Sequence, residues 1–219
     1  MNKAQIINIV VGPVATNCWI YAYGDNRAAV IDPGDEADKI ISALKKSSLT
    51  PEYILLTHGH FDHICAVQEV MDAFSGKIKI GIHNLDGEYL GPDARGVHRK
   101  SIESAMGAAS LMDAFWKETP SADILFDEGS EIGPFTVLLV PGHSPGSSAF
   151  WDKEAKILFS GDTLFAGAYG RTDLPGGNER QIFKSLKRLS AMDPGITVYP
   201  GHGEITTIGR EKRGFFDMV

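Results

Sequence analysis

The stretch THGHFDH, residues 57–63, places three histidines and one aspartate in seven positions, directly behind the apolar run YILL. The chain of 219 residues has only 7 histidines, so this concentration asks for a chemical reason. YILLT reads as a buried strand. Ile64, Val67, Val70, Met71 and Phe74 recur at helical spacing and predict a helix over 63–74. The motif therefore sits at a strand-to-helix junction. Residues two apart in an extended segment project to the same side, so His58 and His60 can face one ion together. Asp62 and His63 fall where the helix begins and can turn toward a neighbouring second ion.

The same arrangement recurs downstream. His143 follows FTVLLV in VPGHSPG, Asp162 follows KILF in FSGDTLF, and His202 follows ITVYP in YPGHGE. Four separate apolar strands thus end in residues that bind metals, three of them across a glycine turn. A single histidine in a turn is most simply a satisfied polar residue. Packing gives no reason for ligand-type side chains at four strand ends, so the set reads as a metal centre. Imidazole and carboxylate together suit zinc, iron or manganese. A carboxylate such as Asp162 can bridge two ions about 3.5–4 Å apart, the separation used in two-metal hydrolytic sites. His83, which ends KIKIGI, and His98, in the charged stretch VHRK, lack ligand spacing and are expected to be non-ligands.

Around these junctions, QIINIVV, CWIYAY, RAAVIDP and SAFWD are further strand-type runs. Helices are predicted over 36–47, where acidic residues crowd the first turn, and near 178–190. Ile102, Ala105, Met106, Ala109, Met112, Phe115 and Trp116 form an amphipathic helical stripe behind the loop-like GPDARG. Its ordinary reading is core packing, with a substrate-lining lid as the alternative. Strands on either side of mixed helices predict a layered α/β or α+β fold.

Composition narrows the function classes. Hydrophobic residues at 43% and charged residues at 22% are those of a globular chain. Net charge is −7, from 28 acidic against 21 basic residues, which disfavours a nucleic-acid partner. Cys18 and Cys65 have no C-x-x-C spacing and read as buried thiols, not as a secreted disulfide framework. IINIVVGPVA has the look of a short signal segment, but its basic flank is one residue, Lys3, and it runs on into strand-like NCWIYAY. No apolar run approaches the ~20 residues of a membrane span. A cytoplasmic location without membrane attachment is expected, and nothing in the chain points to an oligomeric state.

THGHFDH with His143, Asp162 and His202 resembles the H-x-H-x-D-H signature of the metallo-β-lactamase superfamily. PGHSPGS, SGDTLF, GRTDLPGG and YPGHGEITTIGRE are similar, more narrowly, to the short glyoxalase II-like hydrolases (hydroxyacylglutathione hydrolase-like), over the N-terminal strands through about residue 211. The resemblance implies an αββα sandwich of two mixed sheets flanked by helices. It implies one domain over 1–219, without a separate C-terminal glutathione-binding helical domain. It implies two divalent ions, zinc first, with iron and manganese compatible. His58, His60 and His143 match the first metal site, and Asp62, His63 and His202 the second, with Asp162 bridging. The implied reaction is attack of a metal-bound hydroxide, oriented by Asp62, on a small thioester such as a hydroxyacylglutathione.

Arg171, nine residues after Asp162, matches a basic substrate-side residue of that family; its other reading is a loop arginine paired with Asp173. Three departures bear on glutathione recognition: 17 residues follow His202, Glu204 stands where relatives often carry a tyrosine, and the tail reads RGFFDMV. Cys65 replaces a frequent glycine and is expected to be a packing variant. Alternative readings are an iron-dependent persulfide dioxygenase using the equivalents of His58, His143 and Asp162, a phosphodiesterase or nuclease, an exported β-lactamase, and a non-catalytic metal-binding module.

Overall fold

In the computed structural model, which describes residues 5–75, 77–107, 116–214 and 216, strand alternation sorts apolar side chains into three layers. β1 (Gln5–Val11), β2 (Thr16–Tyr23) and β3 (Arg27–Ile31) precede α1 (Ala37–Lys46). β4 (Thr50–Leu55) leads through α2 (Phe61–Ile64) and α3 (Val67–Ala73) to β5 (Lys79–His83). A 3₁₀ turn (Asn84–Tyr89), α4 (Ala94–Met106) and β6 (Ile124–Phe126) complete the first half. The second half carries β7 (Glu131–Ile132), β8 (Phe135–Leu139), β9 (Ser148–Asp152) and β10 (Ile157–Gly161). It ends with α5 (Glu179–Ser190), β11 (Thr197–Pro200), β12 (Thr206–Thr207) and α6 (Ile208–Lys212).

Among the described residues the strands form two six-stranded mixed sheets, ordered β1-β2-β3-β4-β5-β6 and β12-β11-β10-β9-β8-β7. On β2 and β3, Cys18, Ile20, Ala28 and Val30 face the helix layer of α1 and α3, while Trp19, Tyr21, Ala29 and Ile31 face the other sheet. On β10, Leu158 faces α5 and α6, while Ile157 and Phe159 face inward. The inter-sheet core is aromatic: Phe159 meets Tyr21 edge-on at 5.6 Å and Phe135 at 5.8 Å. Such pairs add about 0.5–1.5 kcal/mol beyond their area burial. The helices cover the outer faces because their apolar stripes match: Ile40 and Leu44 on α1, and Ile182, Leu186 and Leu189 on α5, are all buried. This is the predicted αββα sandwich.

Strand direction brings the junctions together. β3, β4 and β5 are mutually parallel, as are β10 and β11, and β8 runs with them because it is two antiparallel steps from β10. Their C-terminal ends therefore share one edge of the sandwich. The sheets are stitched there by Ser148 N–H donating to the Thr57 carbonyl (2.8 Å), and by a bridge between Thr16 and His202.

Two expectations are corrected. The helix predicted over 63–74 is two short helices that start at Phe61 and break at Cys65–Ala66, where Ala66 N–H donates to the Pro33 carbonyl (2.9 Å). The stripe from Ile102 onward belongs to a helix that begins inside the supposed loop, at Ala94, and stops at Met106. Gly107, at φ 67°, supplies the left-handed cap that ends it. Ala109, Met112 and Phe115 lie outside the described residues, and Trp116 follows as non-helical chain. IINIVV is β1, paired along its length with β2. Among the described residues no helix is long and apolar enough to cross a membrane.

Candidate metal centre

His58, His60, His143, Asp62, His63, Asp162 and His202 all meet at the shared sheet edge. Ligand atoms of His58, His60 and His143 lie within 4.8 Å of one another, as do those of Asp62, His63 and His202. Asp162 lies between the two groups. Its Oδ1 is 3.5 Å from His63 Nε2, and its Oδ2 is 3.6 Å from His143 Nε2 and 3.5 Å from His202 Nε2. Asp62 Oδ2 stands 3.3 Å from both His63 Nε2 and His202 Nε2 and accepts from the Thr16 hydroxyl at 3.0 Å.

The hydrogen bonds behind these side chains decide which ring nitrogens carry protons. His143 Nδ1 is 2.8 Å from the Arg171 carbonyl, which only accepts, so Nδ1 is the protonated nitrogen. The Thr57 hydroxyl donates to Asp32 Oδ2 (2.7 Å) and therefore accepts from His58 Nδ1 (3.1 Å). His63 Nδ1 donates to Asp32 Oδ2 at 2.9 Å. In the neutral rings, His58, His63 and His143 thus all present a bare Nε2 lone pair to the centre. His58 Nε2 and His143 Nε2 are 3.2 Å apart, and His60 Nδ1 is 2.8 Å from His143 Nε2. Two acceptors at 3.2 Å do not form a hydrogen bond; such a contact needs a cation beside both. His63 Nε2 and Asp162 Oδ1 are also buried without a hydrogen-bond partner. The donor set fits divalent metal ions at both groups. His60 Nε2 is likewise buried without a partner.

Electrostatics separates the halves. Burial, reinforced by the neighbouring imidazoles, pushes the His58 and His60 pKa well down and keeps both rings neutral. Burial opposes charge on His63 and His202 too, but the facing Asp62 and Asp162 carboxylates outweigh it and raise both pKa values. Burial alone would raise Asp62, yet His63 and His202 hold it well below the usual carboxylate range. Asp62 is therefore an ionised acceptor. The centre opens on that side, with the Asp62 and His202 side chains 33% and 25% exposed.

Two residues that sequence reasoning missed hold this geometry. Asp32, 1% exposed, accepts from Thr57 N–H (2.8 Å), the Thr57 hydroxyl and His63. It does so from a left-handed backbone, φ 52°, which aspartate tolerates at a cost. His58, His63 and Asp32 also converge within 4.8 Å, but three accepted hydrogen bonds already occupy the Asp32 oxygens. Asp32 follows β3 in RAAVIDP, a fifth strand end with a ligand-type residue, and that placement was the available signal. Asp86, in the 3₁₀ turn, accepts from Gly59 N–H (3.1 Å), the Ser144 hydroxyl (2.7 Å) and Gly146 N–H (2.6 Å). It ties the loop carrying His58 and His60 to the loop carrying His143. Asp86→Asn leaves one oxygen for these three buried donors. It is expected to cost about 1–3 kcal/mol in chemical denaturation; an unchanged midpoint and slope would refute the staple.

The remaining glycine turns have steric reasons. A Cβ on Gly201 would stand 2.1 Å from Asp162 Oδ1, and one on Gly59 would stand 2.3 Å from the Tyr89 ring. Asn17 Nδ2 fixes the His202 loop by donating to the carbonyls of Pro200 and Gly203, both at 3.0 Å.

The other candidates sit apart from the two groups. His83 Nδ1 accepts from Leu85 N–H at 3.2 Å and caps the 3₁₀ turn. His98 is buried inside α4 with Nε2 2.8 Å from the Tyr89 carbonyl. The Cys65 thiol is held protonated by burial and donates to the Phe61 carbonyl at 2.9 Å. The Arg171 guanidinium is in a two-pronged pair with Asp173, at 2.7 Å on each arm, and only its backbone carbonyl reaches the centre. A substrate anion would have to displace Asp173.

Residues 11–202 match the family model of the metallo-beta-lactamase superfamily. The chain is 35% identical over 214 residues to hydroxyacylglutathione hydrolase GloC of Haemophilus influenzae, covering 94% of this chain and 96% of that one. The crystal structure of BLEG-1 B3 metallo-beta-lactamase is similar at TM-score 0.83 and 35% identity, covering 96% of this chain and 98% of that one. That of TTHA1623 in a di-iron-bound form is similar at TM-score 0.79 and 36% identity, covering 94% and 97%. With two mixed sheets between helix layers, His/Asp groups at their common edge and relatives matching along nearly the whole chain, this protein belongs to the metallo-beta-lactamase superfamily of metal-dependent hydrolases.

Proposed function

We propose that the chain, as a single domain, is a dinuclear hydrolase of small thioesters, with His58, His60 and His143 holding one ion, Asp62, His63 and His202 the other, and Asp162 serving both. The observation that carries this reading is the carboxylate of Asp162, whose oxygens face Nε2 of His143 in one group and of His63 and His202 in the other at 3.5–3.6 Å. Zinc is the proposed metal, and iron or manganese suits the same donors. Bound divalent ions supply water activation near neutral pH and polarisation of a carbonyl oxygen. Asp62, fixed by the Thr16 hydroxyl, orients the attacking water through its ionised oxygens. Asp32 and the Arg171 carbonyl keep His63 and His143 in the ligating tautomer. Among the described residues no buried acid stands free to protonate a leaving group. A thiolate needs that help far less than an amine, since its thiol pKa is about 8.5. The likeness to GloC supports a thioester, and Arg171, already paired with Asp173, is a secondary candidate for an anion contact.

The likeness to BLEG-1 supports a second reading, hydrolysis of a β-lactam at the same centre. Metal content, measured together with rates on S-D-lactoylglutathione and a chromogenic β-lactam, separates the two. The expected result is two ions per chain, thioester hydrolysis, and loss of that activity on chelation with recovery on metal return. Lactam cleavage without thioester cleavage would select the second reading. One iron per chain with oxygen consumption on glutathione persulfide would overturn both.

A further inference from the structure

Phe61 sits between His60 and Asp62, and its ring stacks on Trp116 with 6.3 Å between centroids and 20° between planes. Behind this pair the rings continue inward. His98 is 5.8 Å from Phe61 and 5.3 Å from Trp116, Tyr89 is 5.3 Å from His98, and His60 meets Tyr89 edge-on at 5.8 Å. Burial lowers the His98 pKa, so this ring joins the array uncharged. Tyr89 and His98 are buried, whereas Phe61 and Trp116 are only half-buried. Core packing accounts for the inner rings. It does not account for a stacked aromatic pair left half-open at Phe61, the residue between His60 and the part-exposed Asp62.

Trp116 is held in place by its neighbour. Lys117 Nζ lies 3.4 Å from Asp35 and 3.3 Å from Glu69, clasping the chain after Trp116 onto the segments that precede α1 and form α3. Lys117, the cation next to Trp116, is thus engaged by two carboxylates. On the His143 side of the centre the Arg171 guanidinium is engaged by Asp173. A carboxylate on the substrate finds both of these cations already engaged. An apolar, uncharged group gains stacking and desolvation at Phe61 and Trp116.

We propose that Phe61 and Trp116 form the specificity wall of this centre and select thioesters whose acyl group is apolar and uncharged, aromatic above all, over those with a small acyl group. The inference rests on the thioester reading above and narrows its substrate class. The test uses metal-replete protein and two thioesters of one neutral thiol, the phenylacetyl and acetyl esters of N-acetylcysteamine. Wild type is expected to favour the phenylacetyl ester in kcat/KM by about tenfold, and Trp116→Ala to collapse that ratio by raising KM, with Trp116→Phe restoring most of it. Calorimetric binding of the uncleavable phenethyl thioether of the same thiol is a second readout, expected to weaken about tenfold in Trp116→Ala. Equal rates on the two esters in wild type, or a ratio unmoved by Trp116→Ala, would overturn the wall. Thioether binding that depends on Trp116 without turnover of any thioester would support the wall while refuting the thioester reading; binding indifferent to Trp116 would overturn the wall whatever the turnover.

Discussion

Asp162→Asn is expected to lower hydrolysis by about a thousandfold and to remove one of the two ions per chain. The side chain is 9% exposed, and its two oxygens face His63, His143 and His202 at 3.5–3.6 Å. The amide keeps the shape but loses the charge, and its NH2 arm turns a donor where a ligand oxygen stood. Lewis-acid stabilisation at such centres is worth several kcal/mol, and each 1.36 kcal/mol is a decade in rate, which sets the thousandfold scale. Metal analysis of the purified variant gives the stoichiometry, kcat/KM at saturating metal gives the rate, and circular dichroism confirms the fold. Two ions retained with activity within tenfold of wild type would show that Asp162 is not shared between the groups.

Asp32→Ala should destabilise the protein by about 3 kcal/mol or more, because it leaves Thr57 N–H, the Thr57 hydroxyl and His63 Nδ1 buried without their acceptor, at about 1–3 kcal/mol per orphaned group. At this chain length that corresponds to a fall in Tm of about 6–12 °C. Alanine also inherits the left-handed backbone at φ 52° without aspartate's tolerance for it. Losing the partner that orients His63 should weaken metal binding by about 10–100-fold as well. Asp32→Asn separates the two effects. Its oxygen still accepts from Thr57 N–H, so most of the stability returns, but the carboxylate that sets the His63 tautomer is gone and the metal defect persists. Calorimetry on chelated and metal-replete protein checks both; a metal-affinity defect absent from Asp32→Asn would confine Asp32 to a structural part.

The strands and the helices α1 and α5 were legible because their apolar spacing is local. THGHFDH, PGH, SGD and PGH were legible because ligand chemistry is carried by residue type, and each lies just past an apolar run. The single helix expected over 63–74 failed because a tertiary bond, Ala66 N–H to the Pro33 carbonyl, diverts the backbone there. The stripe through 102–116 is broken after Met106 because Gly107 caps α4, and its middle lies outside the described residues. Arg171 was singled out by resemblance, with a pair to Asp173 as its other reading, and its guanidinium does meet Asp173 at both arms.

The sequence by itself determined the layered fold and which side chains end the strands at the metal edge, since both follow from periodicity and residue chemistry along short windows. Only the tertiary structure decided how those side chains are held. Asp32 reaches Thr57 across 25 positions, Asp86 reaches Ser144 across 58, and Trp116 meets Phe61 through space. Such contacts depend on which strand ends share an edge, and hydrogen bonds or ring stacks between distant residues leave no local pattern to read.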